Sequence, residues 1–226
     1  MELPTVIPAR LENAVVRLEP LTEAHVEGLH AAAKQAPALY DLAPVPVTLS
    51  GMQQYVDRAL ADAGAGAAVP FAIVVKSPAD EALAGCTRLM NLEWWTWPPG
   101  PIRVAGEPRR RDAGSPPDVV EIGHVWLGGP WLRTAVNTAS CLLLMTFAFE
   151  TWKVHRLVLK TDERNARSRA AILRLGGQFE GILRAHLPAA DGVIRNTAMF
   201  SILPAEWPAA KSRLESALSG AHHEGA

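Results

Sequence analysis

Cysteine is scarce in this chain: only Cys86 and Cys141 occur, one in a strand-like and one in a helix-like segment. Two thiols so placed give no disulfide framework and no metal-ligand spacing, so no metal is expected. Long apolar runs are missing too. The longest stretches, such as residues 141–149, fall far short of the roughly 18 residues that suggest a membrane-spanning helix. The opening segment, MELPTVIPARLE, carries no charged-then-apolar signal pattern. An excess of one charge is also absent. With 22 Lys and Arg against 23 Asp and Glu, nothing draws the chain toward nucleic acid or another polyanion. The expectation is a reduced, cytoplasmic protein with no membrane and no nucleic-acid partner.

A chain of 226 residues can bury one substantial core, so residues 1–226 are expected to form a single domain. Residues 14–18 read as a short strand. Thr22 is placed to cap a helix running to about Ala36, and Ser50 to cap a second one through Ala63. Two apolar runs, PFAIVVK and ALAGCTRLMNL, flank the turn-prone SPADE and predict an antiparallel hairpin. Further strands are expected at 119–127, 155–161, 178–187 and 193–203. Helices are expected at 136–150, from Asp162 or Asn165 to about Leu175, and within the C-terminal helix and tail at 204–226. Hairpins join some strands while helices interrupt others, which makes the fold class α/β in the α+β sense, with a mixed sheet flanked by helices.

Residues 93–118 depart from their surroundings, with Trp94, Trp95 and Trp97, prolines up to Pro117 and three consecutive arginines. This reads as a long inserted loop, of a kind that is either functional or disordered. One reading is a solvated flap. The other is that the tryptophans cover an acceptor pocket or a contact with a second copy in a homodimer, since adjacent large aromatics are costly to leave in water.

Residues 121–176 carry the strongest pattern: EIGHVWL, the loop GGPWLRTAV, a long helix, a second strand and TDERNARSRAAILRLGG. Backbone N–H groups freed at a loop and helix start attract negative charge, and a second strand-to-helix junction lies alongside. A phosphate-bearing ligand suits that arrangement. Together with the early RLEPLTEAHVEGL and the PWLRTAVNTAS segment, the order resembles the GCN5-related N-acetyltransferases (GNAT), and within them the ribosomal-protein N-terminal acetyltransferase-like branch. The resemblance covers roughly residues 12–204.

That resemblance implies a mostly antiparallel central sheet with two splayed central strands, here 119–127 and 155–161, that hold acetyl-CoA as cosubstrate. By it, Val125, Trp126 and Leu127 contact the pantetheine arm mainly through main-chain atoms. Arg133, Thr134, Ala135, Val136 and Asn137 cradle the pyrophosphate, and Asn165 and Ser168 match residues near the pantetheine or phosphate. Ala135 fits the family pattern, while Pro130 and Arg133 depart from it. An arginine in place of glycine either blocks close approach, if the backbone needs a positive φ, or adds a cation that pairs with phosphate. The competing reading is a surface arginine facing solvent. Asn165 also reads as a plain helix cap. Arg164, Arg167 and Arg169 could meet the nucleotide phosphates.

Acetyl transfer to an amine requires a group that takes a proton. Glu121 matches a strand position used as general base by some family members, and His124 is the alternative; an ordinary strand-edge charge is the competing reading of Glu121. Strand alternation puts the two on opposite faces unless a bulge intervenes. The tyrosine that often serves as general acid in the family is Ile172 here, which leaves the departing thiolate to water. The resemblance thus implies an acetyl-CoA-dependent N-acetyltransferase acting on a protein N-terminus or a small-molecule amine. Alternatives are a non-catalytic acyl-CoA-binding relative, and an enzyme for a longer acyl chain.

Overall fold

A computed structural model describes residues 7–77, 81–96 and 114–221. Its elements are β1 (Leu11–Glu12), β2 (Val16–Pro20), α1 (Val26–Lys34), α2 (Leu49–Gly64), β3 (Ala68–Val75), β4 (Ala82–Glu93), β5 (Val119–Leu127), α3 (Val136–Thr146), β6 (Arg156–Asp162), α4 (Ala166–Leu175), β7 (Gln178–Pro188), β8 (Ile194–Ile202) and α5 (Trp207–Ala221). The expected order is present with β1 added. Trp97 and most of the expected insertion lie outside the described residues.

The strands form one sheet in the order β1-β2-β3-β4-β5-β6-β8-β7. Every neighbouring pair is antiparallel except β5 with β6. Strand β3, AVPFAIVV, is buried along its whole length, as a continuous apolar run between two covered faces should be. On one face Phe71, Ile73, Leu144, Trp152 and Phe200 pack with α3 and α5. On the other, Ala72 and Cys86 meet Leu29 of α1 and Met52 and Val56 of α2. Side chains as fully buried as Trp152, Phe71 and Leu29 each stabilise the fold by about 1.5–3 kcal/mol.

Several boundaries differ from the sequence-based expectation for local reasons. The Asn13 side chain accepts hydrogen bonds from the N–H groups of Val15 and Val16 at 3.0 and 2.9 Å, so a turn occupies part of the expected strand and β2 starts later. Thr48 rather than Ser50 caps α2, its hydroxyl accepting from Gly51 N at 3.1 Å. The helix after β5 leaves α geometry at Phe147–Thr151 for a π-helical turn, closed by Trp152 N donating to Phe147 O at 3.0 Å.

The parallel pairing of β5 with β6 spans only Val119–Glu121 against Arg156–Val158. Beyond it β5 stays on β4 as far as Leu127 opposite Gly85, while β6 stays on β8 as far as Asp162 opposite Thr197. The sheet therefore parts at its centre and leaves a groove between the C-terminal halves of the two strands.

Candidate functional site

Register decides which main-chain groups face the groove. Gly128 N donates to Ala84 O at 2.7 Å, and Trp126 stands opposite Cys86, so in an antiparallel ladder both turn toward β4 while Val125 and Leu127 turn toward the groove. The sequence expectation grouped Trp126 with them. Its main chain belongs to the sheet, and its ring is buried edge-on to Tyr40 at 5.9 Å. The Tyr40 hydroxyl donates to Leu127 O at 2.9 Å, which gives one groove-facing carbonyl a partner from the segment after α1.

Past β5 the chain makes a 3-10 turn at Gly129–Trp131 and enters α3. Thr134 Oγ1 donates to Trp131 O at 2.7 Å and accepts from Val136 N at 3.3 Å. The remaining N–H groups of the first turn have no partner within the helix, the geometry that favours an anion. Arg133 adopts φ 61°, so the backbone takes the left-handed conformation for which the family prefers glycine. A non-glycine residue there costs about 1–3 kcal/mol. Its exposed side chain makes no hydrogen bond or ion pair with the described residues, which leaves a cation beside the helix start.

At the second junction Asn165 is the N-cap of α4, accepting from Ser168 N at 2.9 Å. Asn165 also lines a cavity of about 270 Å³ with Ala38, Asp41, Leu42 and Arg167, so the cap and a ligand-facing position coincide. Arg164 lines the same cavity, with its guanidinium engaged by two carboxylates. It donates to both oxygens of Asp162 at 3.0 and 2.7 Å and to Asp191 at 2.8 Å. These bonds tie the β7–β8 turn to α4 and hold the Asp162 carboxyl below its usual range. Arg169 donates to Glu163 O at 3.2 Å and lies over the Phe179 ring.

Glu121 sits where the groove begins, 5% exposed. Asn91 Nδ2 donates to its Oε2 at 2.6 Å, and Lys160 Nζ lies 2.8 Å from the same oxygen. Two bulges flank it. On β5, His124 and Val125 together oppose Thr87; on β4, Asn91 and Leu92 together oppose Val120. His124 and Asn91 both have positive φ, 50° and 48°, the left-handed first position of such bulges that glycine fills most easily. The bulge overturns the strict alternation and brings His124 onto the Glu121 face, where its ring meets Tyr55 of α2 edge-on at 6.0 Å. The residue is exposed over part of its surface, yet partial burial of the ring, helped by the cations of Arg88, Lys160 and Arg195, lowers its pKa to about 4. His124 is therefore neutral at physiological pH.

A cavity of about 520 Å³ opens over Glu121, lined among others by Asn91, Trp95, Lys160, His186 and Met199. The root of the expected insertion is fixed beside it. Trp95 N donates to Asp118 Oδ2 at 2.8 Å, its ring stacks on His155 at 5.5 Å, and Trp94 Nε1 donates to Ser115 O at 2.9 Å. Of the two readings of the tryptophans, Trp95 fits the wall of a pocket. Asn91, Lys160 and Tyr40 escaped the sequence reading. Lys160 alone left a trace, as a lysine inside the apolar run RLVLKTD.

Comparison with known proteins agrees with this geometry. Among curated proteins, the chain is 32% identical over 91 residues to YdaF of Bacillus subtilis (strain 168), whose provisional name is ribosomal N-acetyltransferase. That stretch covers 40% of this chain and 49% of YdaF, so the chain spans about half the length of this relative. A GCN5-related N-acetyltransferase from Brucella melitensis superposes with a TM-score of 0.76 at 28% identity, over 94% of this chain and 86% of that one. Mycobacterium smegmatis RimJ, solved in complex with CoA-disulfide, shares the fold with a TM-score of 0.67 at 18% identity, over 92% of each chain. Residues 16–178 match the family described as acetyltransferase (GNAT) domain, and the chain belongs to that family.

Proposed function

We propose that this protein is an acetyl-CoA-dependent N-acetyltransferase that moves the acetyl group directly to a primary amine with both substrates bound. The observation that carries the reading is the position of the buried Glu121 carboxylate, at the point where β5 and β6 part and beneath the 520 Å³ cavity. Acetyl-CoA supplies an acyl thioester. The residues suited to hold it are Val125 and Leu127 through groove-facing main chain, Arg133, Thr134, Ala135, Val136 and Asn137 at the start of α3, and Asn165 and Ser168 at the start of α4.

The acceptor enters from the Glu121 face, where Trp95, Met199 and Leu183 offer apolar wall. As the amine nitrogen bonds to the acyl carbon and the carbon–sulfur bond breaks, the nitrogen must lose a proton. Glu121 takes it, directly or through one water, and passes it to solvent. The thiolate that departs is a tolerable leaving group near neutral pH and is protonated by water. His124 ranks below Glu121 because its ring packs against Tyr55, whereas Glu121 lines the cavity. Direct transfer is supported by the cysteines. Burial pushes Cys86 up to about 11 and Cys141 to about 12, so neither offers the thiolate that an acyl-enzyme route would need.

The name of YdaF recommends a peptide N-terminus as the first acceptor to try. The test is CoA thiol release from acetyl-CoA with a panel of peptides differing in the first residue and of small primary amines, with product mass showing one added acetyl group. The expected outcome is turnover on at least one peptide. Tight CoA binding with no turnover across the panel would replace the enzyme by a non-catalytic acyl-CoA-binding relative.

A further inference from the structure

Glu121 is held in an unusual way: both of its polar neighbours address one oxygen. Asn91 Nδ2 at 2.6 Å and Lys160 Nζ at 2.8 Å both meet Oε2, and no hydrogen bond from the described residues reaches Oε1. The donors come from β4 and β6, the strands on either side of β5, so the carboxylate is clamped across the last rung before the groove opens. Oε1 points along β5 toward the bulge. A Cβ built on Gly123 would lie 3.1 Å from it and 2.5 Å from Met90 Sδ, so any side chain there would push on both.

We infer that Asn91 is a positioning residue, which with Lys160 fixes Oε2 of Glu121 so that Oε1 is presented to the acceptor amine. This rests on the assignment of Glu121 as base. The backbone supplies the second line of support. Asn91 occupies the left-handed region at φ 48° inside a bulge, a conformation that glycine enters more easily. A bulge needed only to bend β4 would be served by glycine. The asparagine amide is what the bulge aims at Glu121, and non-glycine residues in such conformations gather where function requires their side chains. The charged and titratable groups that line the cavity with the carboxylate are Lys160 and Arg156 from β6, Glu93 from β4 and His186 from β7.

The test uses the full chain with acetyl-CoA and a serine-initial tripeptide, reading CoA release, with melting temperature and amide NMR alongside. Asn91→Gly leaves the bulge unstrained and removes only the amide. The expected result is a fall in kcat of at least tenfold, with the KM for acetyl-CoA within twofold and no loss of melting temperature. Asn91→Asp sets a second carboxylate at the same distance, and the acid limb of the pH–kcat/KM profile should move to higher pH because like charges oppose ionisation. In the wild type, one side-chain amide proton should resonate far downfield and return to the ordinary range in Glu121→Gln, a readout that needs no acceptor. Wild-type kcat in Asn91→Gly, an unmoved acid limb in Asn91→Asp, or no shifted amide would each overturn the inference. Glu121→Gln separates the two failures. Wild-type turnover in that variant defeats the base itself, whereas lost turnover beside unaffected Asn91 variants defeats only the positioning.

Discussion

At the α3 end of the groove an anion would meet consecutive N–H groups, whose direction is set by the turn and the helix whatever the side chains. At the other end the proposed chemistry belongs to one carboxylate, held by an asparagine and a lysine from neighbouring strands. Both ends contain a residue at positive φ where glycine would be easier, Arg133 at 61° and Asn91 at 48°. Asparagine enters that region more readily than arginine does, and what each side chain contributes differs too. Arg133 adds charge to a site the backbone already forms, while Asn91 orients a group that the backbone cannot orient. Loss of a side chain should therefore weaken binding at the first end and chemistry at the second.

Glu121→Gln should show the largest effect. It keeps the side chain's shape but removes the proton acceptor, and positioned bases contribute on the order of 10²–10⁴ in rate. The expected result is a fall in kcat of at least 100-fold, with the KM for acetyl-CoA changed less than threefold. A change confined to KM would make both ends of the groove binding sites and erase the contrast.

Much of the first end was legible in the sequence, because GGPWLRTAV followed by an apolar helix specifies a turn and an N-terminus, and local sequence determines both. The splayed strands followed from family resemblance rather than from pattern, since no periodicity states where two strands stop pairing. The second end was legible only at Glu121. Asn91 reaches it through a bulge, and a bulge shifts every later side chain to the other face without any marker in the sequence. A second bulge, on β5, decides the face of His124, which strand alternation alone left open. The ion pair of Arg164 with Asp191 was not legible either, because Asp191 lies on a turn that only the folded chain brings near.

Arg133→Gly should come next in size. If the guanidinium binds phosphate, its loss should raise the KM for acetyl-CoA about tenfold, in line with the roughly 1.5–3 kcal/mol of a charge-assisted hydrogen bond. The kcat should stay within twofold and the melting temperature should not fall, because glycine occupies φ 61° without strain. A KM unchanged in 50 mM and 300 mM salt would leave Arg133 as a surface arginine and the cradle as pure backbone. Tyr40→Phe probes the groove between the two ends. It leaves Leu127 O without the hydroxyl that now reaches it at 2.9 Å, which should lower stability by about 1 kcal/mol, a melting shift of roughly 2–4 °C for a chain this long.

The smallest effect concerns pH. His124 has a folded-state pKa of about 4, depressed by burial and by Arg88, Lys160 and Arg195, against about 6.5 in an unfolded chain. Between those values the unfolded state holds the extra proton, so the stability contributed by the neutral ring is complete above pH 6.5 and is lost as pH falls toward 4. His124→Asn removes the titration while tolerating the left-handed backbone. Melting curves from pH 7 to 4.5 should therefore drop less steeply in the variant than in the wild type. The ion pairs of Glu121 and Asp162 remain in both proteins and cancel in the difference. Parallel curves would mean that the His124 ring is as well solvated as in the unfolded chain, and the acceptor end would then be wetter, and its carboxylate less tightly held, than the bulge geometry implies.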